Sequence, residues 1–227
     1  MKKFLLSALA LMAALSVSAQ DGPTVMEWSL SDSRNGGDKP KWSLAAIGSL
    51  EGGFAHRFDA PDYTNPSGFF AEVSFLELRY RPWQNGNLFT LSLDYYGETY
   101  TVDRDYSVNA SGQFVSVPSD VRHKSTNSEC IFHANLGFTA EFGKLSAGVF
   151  VCPGLGYGNV HNSFHVGGTS LSVQEDIRTK ASFRLGVKAG FWYDYFGIVF
   201  GYHFGNVVRI QDLPSCSSAF VGLSIRY

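Results

Sequence analysis

The stretch 130–142 alternates between two kinds of side chain along its whole length. The odd positions are mostly polar or small, whereas the even positions are apolar: Cys130, Phe132, Ala134, Leu136, Phe138, Ala140 and Phe142. Successive side chains of a β-strand point to opposite faces, so a period of two predicts a strand between two unlike environments. The pattern alone leaves the orientation open, because a soluble barrel buries its apolar face and a membrane barrel turns that face toward lipid.

The same alternation recurs along the chain from residue 41 onward and predicts eight strands. They begin near Lys41, Phe69, Phe89, Cys130, Leu145, Lys180, Phe196 and Ser218. Their connections alternate between long polar segments, such as 97–128, and short turns, such as Gly143-Lys144. This alternation is typical of outer-membrane barrels. We expect an all-β, eight-stranded antiparallel up-and-down transmembrane β-barrel with short periplasmic turns and long extracellular loops.

Aromatic residues on the apolar face favour the membrane orientation. Most of them gather near the short-turn end, namely Trp42, Tyr80, Phe142, Tyr193, Phe196 and Tyr227, while Tyr202 and Phe204 lie near the other end. Two such belts match the two interfaces of a membrane. The opposite face is rich in Gly, Ser, Thr and Asn, which suits a narrow lumen better than a water-facing surface.

The last residues of the chain carry a resemblance to a known signal. Gly222, Ile225 and the terminal Tyr227 resemble the C-terminal insertion signal of bacterial outer-membrane proteins. With the strand pattern, residues 41–227 look like the small OmpA/OmpX-type, porin-like outer-membrane β-barrel family. The resemblance implies the barrel fold, insertion by the barrel-assembly machinery, and contact with outer-membrane lipid and lipopolysaccharide.

The N-terminus reads as an export signal. Lys2 and Lys3 precede an apolar run over 4–17, and Ala19 ends a small-residue cleavage site. We expect residues 1–19 to be a signal peptide, 20–40 a loose periplasmic leader and 41–227 the barrel. The predicted location is the outer membrane of a Gram-negative bacterium.

Ionisable residues on the predicted lumen face form a candidate network: Glu77, Arg79, Asp94, His133, Glu141, Arg184, Lys188, His203 and Arg226. The interior of an eight-stranded barrel is just wide enough to be filled by side chains. Unpaired charges are costly there, so opposite charges should pair and plug the lumen. A small or gated pore is the alternative.

One constellation has a possible catalytic reading. His161, Ser163 and Glu175 are similar to the His-x-Ser and distant Glu of outer-membrane lipid A deacylases, in which Ser is the nucleophile and His its base. If Gly167-Gly168 is a two-residue turn, His161 and Glu175 point to opposite faces. A three-residue turn through Thr169 places them opposite each other.

Bulk properties narrow the remaining classes. The formal charge of -2 gives no reason to expect nucleic acid as a partner. The spacing of Cys130, Cys152 and Cys216 fits no zinc motif, and we expect no metal or cofactor. The function that follows is non-enzymatic: envelope integrity, or adhesion-like interaction with an unknown surface ligand.

Overall fold

The computed structural model describes residues 25–28, 41–58, 60, 64–82, 86–103, 105–109, 113–118, 121–166, 169–178, 182–204 and 217–227. The predicted signal peptide, most of the leader, the Gly167-Gly168 turn and Cys216 lie outside the described residues. The described strands are β1 Val25–Trp28, β2 Lys41–Arg57, β3 Thr64–Arg81, β4 Leu88–Val102, β5 Tyr106–Val108, β6 Phe114–Ser116, β7 Val121–Phe142, β8 Leu145–Val166, β9 Thr169–Arg178, β10 Ser182–Tyr193, β11 Phe196–Phe204 and β12 Ser218–Arg226. Within the described ranges, no helix is long and apolar enough to span a membrane.

Eight of these strands close into an antiparallel barrel. The order around the ring is β2, β12, β11, β10, β8, β7, β4 and β3, and β3 pairs with β2 again. Every pairing in the ring is antiparallel. The predicted all-β fold of eight antiparallel strands is therefore confirmed.

The strands extend further than the alternation predicted. The sequence predicts that the second strand begins near Phe69, but β2 continues to Arg57 and β3 begins at Thr64. β7 and β8 each have 22 residues, and β8 continues through Pro153 to Val166. Residues 123–129 of β7 are all polar, so this part lacks the apolar alternation by which a membrane strand is found in sequence.

The N-terminal leader is not loose throughout. β1 pairs with β2 from Val25 opposite Ala45 to Trp28 opposite Trp42. β12 covers the adjoining part of the same edge, with Arg226 opposite Ser49. β1 thus continues the line of the last strand downward and satisfies backbone groups of β2 that β12 leaves unpaired.

Two irregularities in neighbouring strands change which residues face inward. The register shifts between Ile47 and Ser49 in β2, and between Phe75 and Leu78 in β3, where Leu76 has a positive φ of 54°. An extra residue in a strand reverses the parity of everything beyond it. By alternation, Phe75 would share the predicted lumen face of Glu77 and Arg79, but it lies opposite the exposed Leu93 and so belongs to the outer face.

The outer surface of the barrel is an apolar belt. On β7 the outward side chains from 132 to 142 are apolar, and Leu136 is 53% exposed. Above Phe132 the outward positions become polar at Ser128, Thr126 and Lys124. The belt covers about eleven residues of strand, which matches the roughly 25 Å apolar band of a membrane barrel.

Replacing Leu136 by Arg tests the orientation of this belt. A charge near the bilayer midplane should lower the free energy of unfolding in lipid vesicles by about 2–4 kcal/mol, measured by urea titration. The matched control is Leu145→Arg, next to the Gly143-Lys144 turn, for which the cost should fall to about 0–1 kcal/mol. Equal costs at the two depths would contradict a lipid-facing belt.

Candidate functional site

Six of the nine residues that the sequence assigns to the lumen face are buried, namely Glu77, Asp94, His133, Arg184, Lys188 and His203. The contacts of the nine residues form successive layers. Nearest the short turns, the Glu77 carboxylate accepts from Arg79 Nε at 2.7 Å and lies 3.3 Å from Arg226 Nη2. Arg79 also donates to the backbone oxygen of Tyr227. Glu141 belongs to the rim, where it pairs with Arg81 at 2.6 Å and both side chains remain about one-third exposed.

The next layer is centred on Lys188. Its ammonium lies 3.1 Å from Glu51, 2.9 Å from Glu72 and 3.8 Å from Asp94, and all four residues are buried. The Asn135 side-chain nitrogen donates to Asp94 and, at 3.4 Å, to Glu72. A lysine buried to this extent needs such a shell, because an unpaired ammonium away from water is strongly unfavourable.

Rings fill the lumen above Lys188. His133 and His203 have centroids 5.1 Å apart, and Tyr96 lies 4.5 Å from His203 in an edge-to-face arrangement. Phe220 packs against both Tyr96 and Phe70. Neither ring nitrogen of His133 has a hydrogen-bond partner among the described residues, so ring packing holds this layer together.

Above the rings, two arginines and two glutamates form a compact ionic cluster. Arg57 lies 2.6 Å from Glu129 and 3.7 Å from Glu98. Arg184 contacts the same two glutamates, and Tyr96 donates its hydroxyl to Glu98 at 2.8 Å. The Arg57 guanidinium stacks on Tyr100, 3.8 Å from the ring centre. The two positive and two negative charges of the cluster balance, and buried charges need such pairing because burial removes their hydration.

Sequence reasoning missed five charged lumen residues: Glu51, Arg57, Glu72, Glu98 and Glu129. Glu51 and Glu72 lie above the two register shifts, so parity counted upward from the short-turn end fails for both. Arg57, Glu98 and Glu129 lie outside the strands that the sequence predicts. Residues of the same parity share a face only where no irregularity lies between them. The sequence signal for the facing of these residues was therefore the alternation within each uninterrupted segment.

The layers leave little open space. The lumen around Lys188 and Asp94 contains a cavity with about 20 Å³ open to the centre of a water molecule. That is room for about one water, since one needs roughly 10–15 Å³ on this measure. The ring layer and the ionic cluster above this cavity consist of buried side chains.

The backbone does not bring the three deacylase-like residues together. Glu175 lies opposite Asn162, whereas His161 lies opposite Asp176 and Ser163 opposite Gln174. Val166 lies opposite Thr169, as in the two-residue turn. Directly opposite positions share a face and adjacent ones do not, so the register that the catalytic reading requires is absent.

The upper parts of β7 and β8 form an outer wall that rises above the belt. Val121 pairs with Val166 at its top, and β9 adds a third strand beside β8. Lys124 is exposed, His123 stacks on Phe164, and the buried Ser125 hydroxyl donates to Asn162 at 2.7 Å. The outer wall is thus an ordered polar sheet that continues the barrel.

Gly222 of the insertion-signal resemblance also has a local structural role. A Cβ at this position would collide with the Gly52 backbone oxygen and the Phe70 ring. Ile225 pairs with Leu50, and the Tyr227 amide donates to the Gly48 oxygen at 3.0 Å. These contacts hold the last strand against β2 at the barrel seam.

The described cysteines are not cross-linked. Cys130 and Cys152 are both free, and the Tyr95 hydroxyl donates to the Cys130 sulfur at 3.0 Å. Within the described ranges, no group of three or more His, Cys, Asp or Glu residues is placed to hold a metal ion.

Comparisons with known proteins give structural neighbours only. No family model matches the chain, and no curated protein matches it. Ail, the attachment invasion locus protein of Yersinia pestis, aligns at a TM-score of 0.42 and 14% identity over 80% of this chain and 99% of its own. A structure of Ail with the heparin analogue sucrose octasulfate aligns at a TM-score of 0.41 and 14% identity over 80% of this chain and 98% of its own. Neisserial surface protein A aligns at a TM-score of 0.35 and 16% identity over 81% of this chain and 99% of its own.

The strand order and the closure of the ring define the fold. This is a closed antiparallel barrel of eight strands, as the strand pattern predicted. The assignment follows from the chain's own strand pairing.

Arg184 provides a test of the ionic cluster. Arg184→Gln leaves Glu98 and Glu129 facing Arg57 alone, so the free energy of unfolding should fall by about 3–5 kcal/mol in a urea titration. Adding Glu129→Gln removes the uncompensated charge and should recover part of that loss. Arg81→Gln is the exposed control and should cost at most about 1 kcal/mol. Simple additivity of the two cluster substitutions would contradict the pairing.

Proposed function

We propose that this chain is a non-enzymatic outer-membrane barrel that anchors an outer wall at the cell surface. The observation that carries the proposal is the combination of an apolar exterior with a lumen closed by paired charges. Such an exterior is stable in lipid, and such a lumen transports little. The short turns then face the periplasm and the outer wall faces outward.

The biogenesis in this proposal follows the predicted signals. Residues 1–19 direct export and are removed near Ala19. Gly222, Ile225 and Tyr227 engage the barrel-assembly machinery. The mature barrel then sits among outer-membrane lipid and lipopolysaccharide. Its position on the cell leaves no role for nucleic acid.

The dimensions of the outer wall support a surface role. A strand of 22 residues spans about 55 Å along the membrane normal, at roughly 3.3 Å per residue and a tilt of about 40°. The apolar belt accounts for only about 25 Å of this height. Half of β7 and β8 therefore stands outside the lipid as a paired sheet, which can present side chains to a surface ligand at low entropic cost.

The pore alternative has less support. A conducting path requires a continuous polar route, but the ring layer of Tyr96, His133, His203 and Phe220 crosses the lumen between two charged layers. The deacylase alternative lacks its register, as Glu175 pairs with Asn162. The adhesion-like role is the proposal that gives the outer wall a function.

Single-channel recording separates the plugged barrel from a pore. Refolded wild-type protein should insert into planar bilayers and remain electrically silent, because the ring layer and the ionic cluster would block the lumen. Heat-modifiable gel migration of the same sample is the control for folding. Steady unitary conductance from folded protein would contradict the plugged reading and support the pore.

Removing the hairpin beside the outer wall tests the surface role. Residues 104–118, which include β5 and β6, are replaced by a short Gly-Ser linker, and both forms are displayed on a non-adherent bacterium. Attachment to cultured epithelial cells should fall several-fold, because β5 of the hairpin contacts β7 and β8, the strands of the outer wall.

The matched control replaces the short turn Gly143-Lys144 with Asn-Gly, which leaves the outer surface intact. Equal surface amounts and equal heat-modifiable migration are required of all three forms. Undiminished attachment without the hairpin would contradict its role in adhesion, and no attachment by the wild type would contradict the adhesion-like role altogether.

A further inference from the structure

The lower lumen carries more negative charge than its cations neutralise. Lys188 faces three buried carboxylates, those of Glu51, Glu72 and Asp94. The adjoining layer toward the short turns holds Glu77 between Arg79 and Arg226. Four carboxylates therefore face three cations, and one negative charge is left over. The ionic cluster at the other end of the lumen is balanced, so the excess is local.

Two buried oxygens in the same place have no partner. Ser74 and Asn135 are each 2% exposed, and neither Ser74 Oγ nor Asn135 Oδ1 has a hydrogen-bond partner. The orientation of the Asn135 amide follows from its contacts, because its nitrogen donates to the carboxylates of Asp94 and Glu72. The oxygen is thereby the free end. Buried polar atoms are seldom left unsatisfied in native structures.

Both side chains line the cavity beside Lys188. Its wall also includes Asp94, Ser49 and Ser92, and its open space of about 20 Å³ suits one particle the size of water. The donors are carboxylate, hydroxyl and amide oxygens, which are the ligands of hard cations. The ring layer closes the cavity toward the outer wall, so access is from the short-turn end.

We propose that this cavity binds one small monovalent cation, for which Na⁺ is the probe. One such ion neutralises the remaining charge and supplies a partner for Ser74 Oγ and Asn135 Oδ1. The carboxylates engage Lys188 and leave no cluster of three acidic or imidazole ligands for a divalent metal within the described residues. The alternative is a water molecule together with a proton on one of the carboxylates, and it predicts equal stability in Na⁺ and in a cation too large for the cavity.

Urea unfolding at constant ionic strength tests the site. Wild-type protein in detergent micelles is titrated while NaCl replaces choline chloride at fixed total chloride, and tryptophan fluorescence is followed, since Trp192 lines the cavity. Choline is too large for the cavity and screens exposed charges equally well. Above half-saturation, each tenfold rise in Na⁺ should raise the ratio of folded to unfolded protein about tenfold.

Two variants locate the effect. Asp94→Asn and Ser74→Ala should each reduce the dependence of stability on Na⁺. Ser125→Ala is the control and should keep that dependence, because Ser125 is also a buried serine but belongs to the outer wall. Line broadening of ²³Na NMR by the wild type, weakened in Ser74→Ala, gives a direct reading. If Asp94→Asn does not fold, Ser74→Ala alone decides. Equal stability of the wild type in the two salts, or a Na⁺ effect unchanged in Ser74→Ala, would overturn the site.

Discussion

The pairing of β2 with both β3 and β12 is the interaction on which the rest of the structure depends. In hydrocarbon, an unpaired backbone amide or carbonyl costs several kcal/mol, so a sheet is stable there only if it closes. The closure at this seam relies on glycine, because Gly53 and Gly222 lie where any side chain would meet the neighbouring backbone. β1 extends the same seam below the end of β12.

Closure with only eight strands fixes the character of the lumen. The interior is narrow, and the outward positions are taken by the apolar belt, so polar residues must share the inside. Ion pairs within separate layers offset the cost of burying these charges. The layers are a balanced cluster around Arg57 and Arg184, a ring layer, and a shell of carboxylates around Lys188. Buried pairs of this kind are costly to break but add little net stability, so we expect their main effect to be to specify the register of the strands.

Much of this architecture could be predicted from the sequence wherever the two-residue alternation continues without interruption. The alternation at 130–142 identified the lower part of β7 and its apolar outward face, and the period of two identified all eight barrel strands. It failed at Phe75, where an irregularity reverses parity, and at Glu98 and Glu129, where both faces of the strand are polar. The pairing of Glu175 with Asn162 matches neither of the two registers that the sequence left open, because the register shifts between Phe164 and Val166, next to the turn.

The most direct test of this account is a scan of single cysteines along 132–139 in lipid vesicles. Each is introduced into a background with Cys130, Cys152 and Cys216 replaced by Ala, labelled with a small environment-sensitive fluorophore, and quenched with brominated acyl chains. The account predicts a period of two, with strong quenching at 132, 134, 136 and 138 and weak quenching at 133, 135, 137 and 139. Uniform quenching, or quenching at the odd positions, would contradict a barrel with its apolar face in lipid.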